Sequence, residues 1–132
     1  MPVGVIHRDA ASAAFFDGTA RGELLLRRCT TCGHLSEPAT ATCPACTGRD
    51  LEWAPAAGTG VLVSWTVVHA RSTEGAVRTP VGLVELDEGP WLEMQVVGTD
   101  PERLVPSTKV RVEFERPEGG EALPVARPTE ID

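Results

Sequence analysis

Cys29, Cys32, Cys43 and Cys46 form two Cys-x-x-Cys pairs with ten residues between them. Each pair makes a tight turn that aims two thiolates at one point, and the spacer brings the second turn opposite the first. Four such sulfurs form a closed tetrahedral site for Zn²⁺, with metal–sulfur distances of about 2.3 Å. Iron in a rubredoxin-like site is the alternative for the same ligands. Four protein ligands leave no open position, so the metal is expected to be structural rather than catalytic. Gly33 and Gly48 follow the two pairs and are expected to turn the backbone back toward the metal. Two disulfides are the competing use of four cysteines, and they need an oxidising compartment. Residues 1–8, Met-Pro-Val-Gly-Val-Ile-His-Arg, carry neither a long apolar run nor a cleavage pattern. A cytoplasmic protein with reduced thiols is therefore expected.

Little other chemistry is in sight. With four thiols on a metal, no cysteine nucleophile remains. The chain has no tyrosine, and Lys109 is its one lysine. Three histidines are left. His7 lies in an N-terminal stretch expected to be loose. His34 sits in the ribbon turn and reads as a solvated group or one behind the ligands. His69 falls near the end of a long strand, on the side of Trp65 by period-2 counting. It reads either as a half-buried histidine at a barrel rim or as a ligand or interface contact. Asp87 and Glu88 adjoin in a hairpin turn, where acids are common for conformational reasons. No nucleophile–base pair emerges, so a catalyst acting by itself is not expected.

Charge narrows the partners. The net charge is −7, and residues 1–50 are balanced, so the excess of acid lies in residues 51–132. Nucleic-acid binding draws its affinity from neutralising phosphates, so a barrel of this sign argues against it. No apolar run is long enough to cross a membrane as a helix.

The elements that must position these residues can be read along the chain. Asp9 to Gly22 is alanine-rich and reads as a short helix, with Asp9 as N-cap and Gly22 as its end. Phe15 and Phe16 are its only large apolar groups, so it is expected to pack on a neighbouring domain or a partner. Residues 23–28 form a strand into the first knuckle, 29–48 form the ribbon, and 51–55 leave it as a strand. Gly58 and Gly60 mark a hinge or bulge. Strands follow at 61–70, 80–87, 91–97, 108–115 and 123–126, with one helical turn near Glu102. Val61, Val63, Trp65 and Val67 are expected to share one face, and Val110, Val112 and Phe114 to point inward. The fold class is mainly β: an N-terminal helix, a rubredoxin-like zinc ribbon and a small five-stranded barrel of the OB type. An open sandwich is the alternative for the strands. The expected segments are 1–22, helical; 23–55, ribbon; 56–128, barrel; and 129–132, tail.

These residues resemble a known family. Arg28-Cys-Thr-Thr-Cys-Gly33, Cys43-Pro-Ala-Cys46, Leu51-Glu-Trp53, Gly58-Thr-Gly60, Ser64-Trp-Thr-Val-Val-His69 and Val84-Glu-Leu-Asp-Glu-Gly89 follow one another in that order. The chain is similar to the zinc-ribbon/OB-fold family first catalogued as "domain of unknown function 35", over residues Phe15 to Pro128. The resemblance implies an acyl-CoA-associated accessory subunit. Such proteins sit against thiolase-fold enzymes: acetoacetyl-CoA thiolase, acyltransferases, or the aldolases that remove side chains in steroid breakdown. It implies a hetero-oligomer with acyl-CoA as ligand and the carbon–carbon chemistry left to the partner. A CoA ester needs cations for its phosphates and an apolar groove for its pantetheine arm. Arg27, Arg28, Arg71 and Arg78 are the candidate cations. Trp65 and Trp91 are candidates to line the groove, and His69 and Asp87 are further candidate contacts with ligand or partner. A ribbon-plus-OB nucleic-acid adaptor and a stand-alone acyl-CoA thioesterase are the alternatives.

Overall fold

A computed structural model describes residues 6–72 and 75–129. The alanine-rich stretch forms α1 (Ala13–Ala20), shorter at its start than expected. Asp9 is not the N-cap. Its carboxylate accepts the Ser12 N–H at 2.9 Å, closing a turn ahead of the helix, and Ser12 holds the cap position. At the other end Glu23 N–H bonds Gly18 O and Gly22 N–H bonds Thr19 O, with Gly22 at φ +80°. This is the paired-bond end that a left-handed glycine allows.

The helix is not free-standing: it packs on the neighbouring ribbon and barrel strands, as expected of an element with little core of its own. Phe16 is buried, and α1 rests on β1 and β8, defined below. The stretch around His7 is not loose either. Ile6 O accepts the Glu121 N–H at 3.0 Å, and Arg8 forks onto the Glu121 carboxylate while reaching Asp17.

The ribbon is a three-stranded antiparallel sheet of β1 (Leu25–Cys29), β2 (Leu35–Ser36) and β3 (Leu51–Pro55), ordered β2-β1-β3. β2 was not expected; two residues are too few to show an alternating pattern. Then come β4 (Thr59–Ser72), β5 (Gly75–Leu86), β6 (Trp91–Val96), β7 (Lys109–Glu115) and β8 (Leu123–Pro128). They close in the circuit β4-β5-β6-β8-β7, with β7 returning to β4. Only β6 and β8 run parallel among these pairs. This is the five-stranded OB-type barrel, and among the described residues closure pairs the edges that a sandwich would leave open, except along the outer half of the β4–β5 hairpin. The turn near Glu102 is a 3₁₀ helix at Pro101–Arg103, capped by the Asp100 carboxylate on the Glu102 N–H.

One face differs from expectation. Before Val63 the even-numbered residues of β4 point inward, and Leu62 is wholly buried. The register with β5 slips between Leu62 and Ser64, a one-residue bulge at Val63. Beyond it the odd residues Trp65 and Val67 are the half-buried ones. Val61, Val63, Trp65 and Val67 therefore do not share a face, because one extra residue inverts the alternation. Val110, Val112 and Phe114 do point inward.

Leu24 and Leu26 at the root of the ribbon join Leu62, Val84, Leu86, Met94, Val96 and Val110 in one core. The connection between ribbon and barrel is fastened as well. Ala56 N–H bonds Leu24 O, Ala57 N–H bonds the Glu88 carboxylate at 2.7 Å, and Asp87 N–H bonds Thr59 O.

Candidate metal centre and adjoining surfaces

The four cysteines sit on two turns of the same construction. In the first, Cys29 N–H bonds His34 O and Gly33 N–H bonds Cys29 O. In the second, Cys43 N–H bonds Gly48 O and Thr47 N–H bonds Cys43 O. Both turns close with the same two bonds, so each presents its cysteine pair in the same way. All four Sγ atoms lie within 4.8 Å of one another. The Cys29–Cys46 and Cys32–Cys43 separations are 3.5 and 3.6 Å. A tetrahedron with arms of about 2.3 Å has edges of about 3.8 Å, so the cage fits Zn²⁺. A disulfide needs sulfurs at about 2.05 Å, and all four cysteines are free.

Electrostatics follow from the same turns. The Cys32 N–H points at the Cys29 sulfur and, with the Thr31 N–H and neighbouring thiols, lowers that thiol to about 6 against the cost of burial. At Cys46 the Gly48 N–H favours the thiolate. The hydrogen bonds it shares with Cys29 and Cys32 outweigh this and push it up to about 12. Four thiols this close share protons unevenly, and a divalent cation among them favours thiolate at every one.

The glycines differ from expectation in the second turn. Gly33 has φ +79°, but after Cys46 it is Thr47, at φ +62°, that takes the left-handed conformation. Gly48 serves another purpose. A Cβ there would lie 3.2 Å from Cys46 Sγ and 3.5 Å from Cys29 Sγ, so its hydrogen leaves room for the sulfurs.

The remaining candidates fall in three places. Arg28 lies on the ribbon and pairs loosely with Glu52 at 3.5 Å, both half exposed. Asp87 and Trp91 flank the β5–β6 turn. The Thr59 hydroxyl donates to Asp87, and the exposed Trp91 indole donates to Glu85 at 3.1 Å. His69, Arg71 and Arg78 are exposed at the far end of the β4–β5 hairpin, with His69 directly opposite Arg78. Trp65 packs against the core between these groups. Arg78 and Asp87 are nine residues apart, roughly 25–30 Å of extended chain, so these side chains do not converge on one point.

Two cavities adjoin the ribbon. A groove of about 530 Å³ separates it from the β5–β6 turn and is lined by His34, Glu37, Pro44, Glu88 and Trp91. A second, of about 650 Å³, lies between α1 and the ribbon, lined by Phe15, Phe16, Arg27, Pro38 and Trp53. Arg27 stacks 4.3 Å above the Trp53 ring and donates to Leu51 O at 3.2 Å. Sequence reasoning missed this pocket because Trp53 and Phe15 meet only through the packing of α1 on the ribbon. No helix among the described residues is long and apolar enough to cross a membrane.

The two halves match two family models. Residues 16–52 match the ChsH2 rubredoxin-like zinc ribbon domain, and residues 53–115 match the ChsH2 C-terminal OB-fold domain. A DUF35 domain-containing scaffold protein of Methanothermobacter thermautotrophicus is 30% identical over 92 residues, covering 67% of the chain and 69% of that protein. The chain belongs to the DUF35 family. A solved structure described as an Ltp2-ChsH2(DUF35) aldolase superposes with a TM-score of 0.79 and 32% identity, covering 96% of this chain and 98% of that one. A probable enoyl-CoA hydratase alpha subunit of Thermomonospora curvata is 33% identical over 129 residues, 96% of this DUF35 chain. The chain spans 40% of that subunit's length, so it corresponds to one part of the larger protein.

Proposed function

We propose that this chain is an acyl-CoA-binding accessory subunit. It docks on a thiolase-fold enzyme, a side-chain aldolase or acyltransferase, and helps to form that enzyme's CoA-ester channel. The observation that carries this reading is the match, over nearly all of both chains, to the DUF35 chain of a structure described as an aldolase. The names of other relatives, a hydratase subunit and scaffold proteins, point the same way.

On this reading Cys29, Cys32, Cys43 and Cys46 hold a structural Zn²⁺ that braces residues 23–55, and residues 56–128 supply the barrel. When bound, the metal crosslinks the two turns and performs no reaction step. The thiolates need a reducing compartment, consistent with the cytoplasm. The pocket of Phe15, Phe16, Arg27 and Trp53 offers an apolar wall suited to an acyl or pantetheine chain, with Arg27 as the one cation among its described lining residues for a CoA phosphate. Trp91, Asp87 and Arg28 would lie at the ligand or partner boundary. Carbon–carbon cleavage or formation next to the thioester belongs to the partner. A protein, rather than a nucleic acid, is the macromolecule such an acidic barrel suits.

The test is co-expression with a thiolase-fold protein encoded beside this chain, followed by size-exclusion chromatography and CoA-ester turnover. Co-elution and partner activity that depends on this chain are expected. A partner fully active alone, with no co-elution, overturns the reading.

A further inference from the structure

We propose that the outer half of the β4–β5 hairpin is a docking arm, whose free β4 edge takes up an extended, acidic segment of the partner enzyme. The proposal rests on the accessory-subunit reading and specifies how the contact is made.

The barrel uses only the base of the hairpin. β7 pairs with β4 at Thr59–Val61, and the last bonds across that seam are Leu62 N–H to Thr108 O and Ser107 N–H to Leu62 O. β6 covers β5 only from Val81 to Glu85. From Ser64 to Ser72 the outer edge of β4 has no backbone partner among the described residues. Nine residues amount to roughly 30 Å of unpaired edge. A two-stranded ribbon is marginal by itself in water, and an edge of this length is normally blunted or covered. On the β5 side Pro80 removes one donor. The β4 side has no proline, and Val68 stands 48% exposed at its middle. That edge is chemically ready for strand addition.

Charge selects the occupant. Residues 64–80 carry Arg71, Arg78 and His69 against one carboxylate, Glu74, in a chain whose net charge is −7. The arm is thus a cationic projection on an acidic molecule, and all three side chains are exposed. Opposite potentials steer encounter and set register across an interface. Acidic side chains on the incoming strand would meet Arg71 and Arg78 while its backbone pairs with β4 and its apolar groups cover Val68.

The experiment uses the complex with the thiolase-fold protein and reads two quantities. Hydrogen exchange of the outward-facing amides in residues 64–72 is expected to slow at least tenfold on complex formation. The double variant Arg71→Glu/Arg78→Glu is expected to raise the dissociation constant at least tenfold and to flatten its salt dependence. Unchanged zinc content and melting temperature will show that the variant is folded. A complex that forms while exchange at 64–72 is unchanged and the variant binds equally well overturns the arm's role and leaves the subunit reading intact. Absence of any complex with the unaltered chain overturns both. A self-dimer of the isolated chain that protects residues 64–72 and persists in place of the complex assigns the edge to a second copy, and also overturns the proposal.

Discussion

Gly33 and Thr47 occupy equivalent positions in the two metal-binding turns, at φ +79° and +62°, and each donates its N–H to the carbonyl of its turn's first cysteine at 2.8 Å. One turn gives this strained position to glycine and the other to a β-branched residue. The left-handed conformation costs an L-residue roughly 1–2 kcal/mol, part of which glycine loses again through its freer unfolded chain. Thr47→Gly is therefore expected to stabilise the folded chain by about 0.5–1 kcal/mol, measured by urea unfolding with zinc present.

Gly48 should behave in the opposite way. Its added Cβ would press on the sulfurs of Cys46 and Cys29. Gly48→Ala is expected to weaken zinc affinity at least tenfold, read from competition with a chromophoric chelator. Unchanged affinity would show that the cage relaxes freely.

Stripping the metal should unravel residues 29–48 and leave much of the barrel. The ribbon's apolar contribution to the core is confined largely to Leu24 and Leu26, whereas the barrel strands supply the rest. Exchange measurements before and after chelation are expected to show protection lost in the ribbon and partly kept in β4 to β8. Partner binding should be lost with the ribbon. A complex that survives chelation would remove the metal's bracing role.

The bulge predicts unequal effects at adjacent residues. Leu62 is wholly buried, while Val63 is the extra residue at the register slip. Leu62→Ala is expected to cost about 2–5 kcal/mol, and Val63→Ala less than about 1 kcal/mol. Equal losses in denaturant unfolding would contradict the bulge.

Acid should weaken the β7–β8 pairing. Arg127 donates to the Glu113 carboxylate at 2.8 Å, with Arg111 at 3.3 Å, and holds it below its usual 4.5. A carboxylate depressed in the folded state contributes stability above its unfolded pKa and loses it as pH falls through the folded one. Thermal melts between pH 7 and pH 3 are expected to show a smaller acid-induced drop in Glu113→Gln than in the unaltered chain. Identical drops would mean that solvent screens the pair completely.

How much of this was legible beforehand varied with the range of the interactions. The metal turns, the strand sequence, the 3₁₀ turn after Asp100 and the inward face of Val110, Val112 and Phe114 follow from spacing and alternation, which act within a few residues. β2 left no such signal, and the Val63 bulge reversed one. A slip in register is decided by what β5 offers across the ladder, not by β4 alone.

The amino-acid sequence by itself determined that four thiolates would meet and that a small β-barrel would follow them, because ligand spacing and period-2 patterning are local properties of the chain. Only the tertiary structure decided that Leu24 and Leu26 enter the barrel core, that Gly48 lies against the sulfurs of Cys46 and Cys29, and that α1 covers a pocket with Arg27 over Trp53. It also separated the candidate contact residues, placing His69, Arg71 and Arg78 on an open arm and Asp87 and Trp91 at the opposite end of β5. Those are relations between residues distant in sequence, set by which strands pair and where pairing stops.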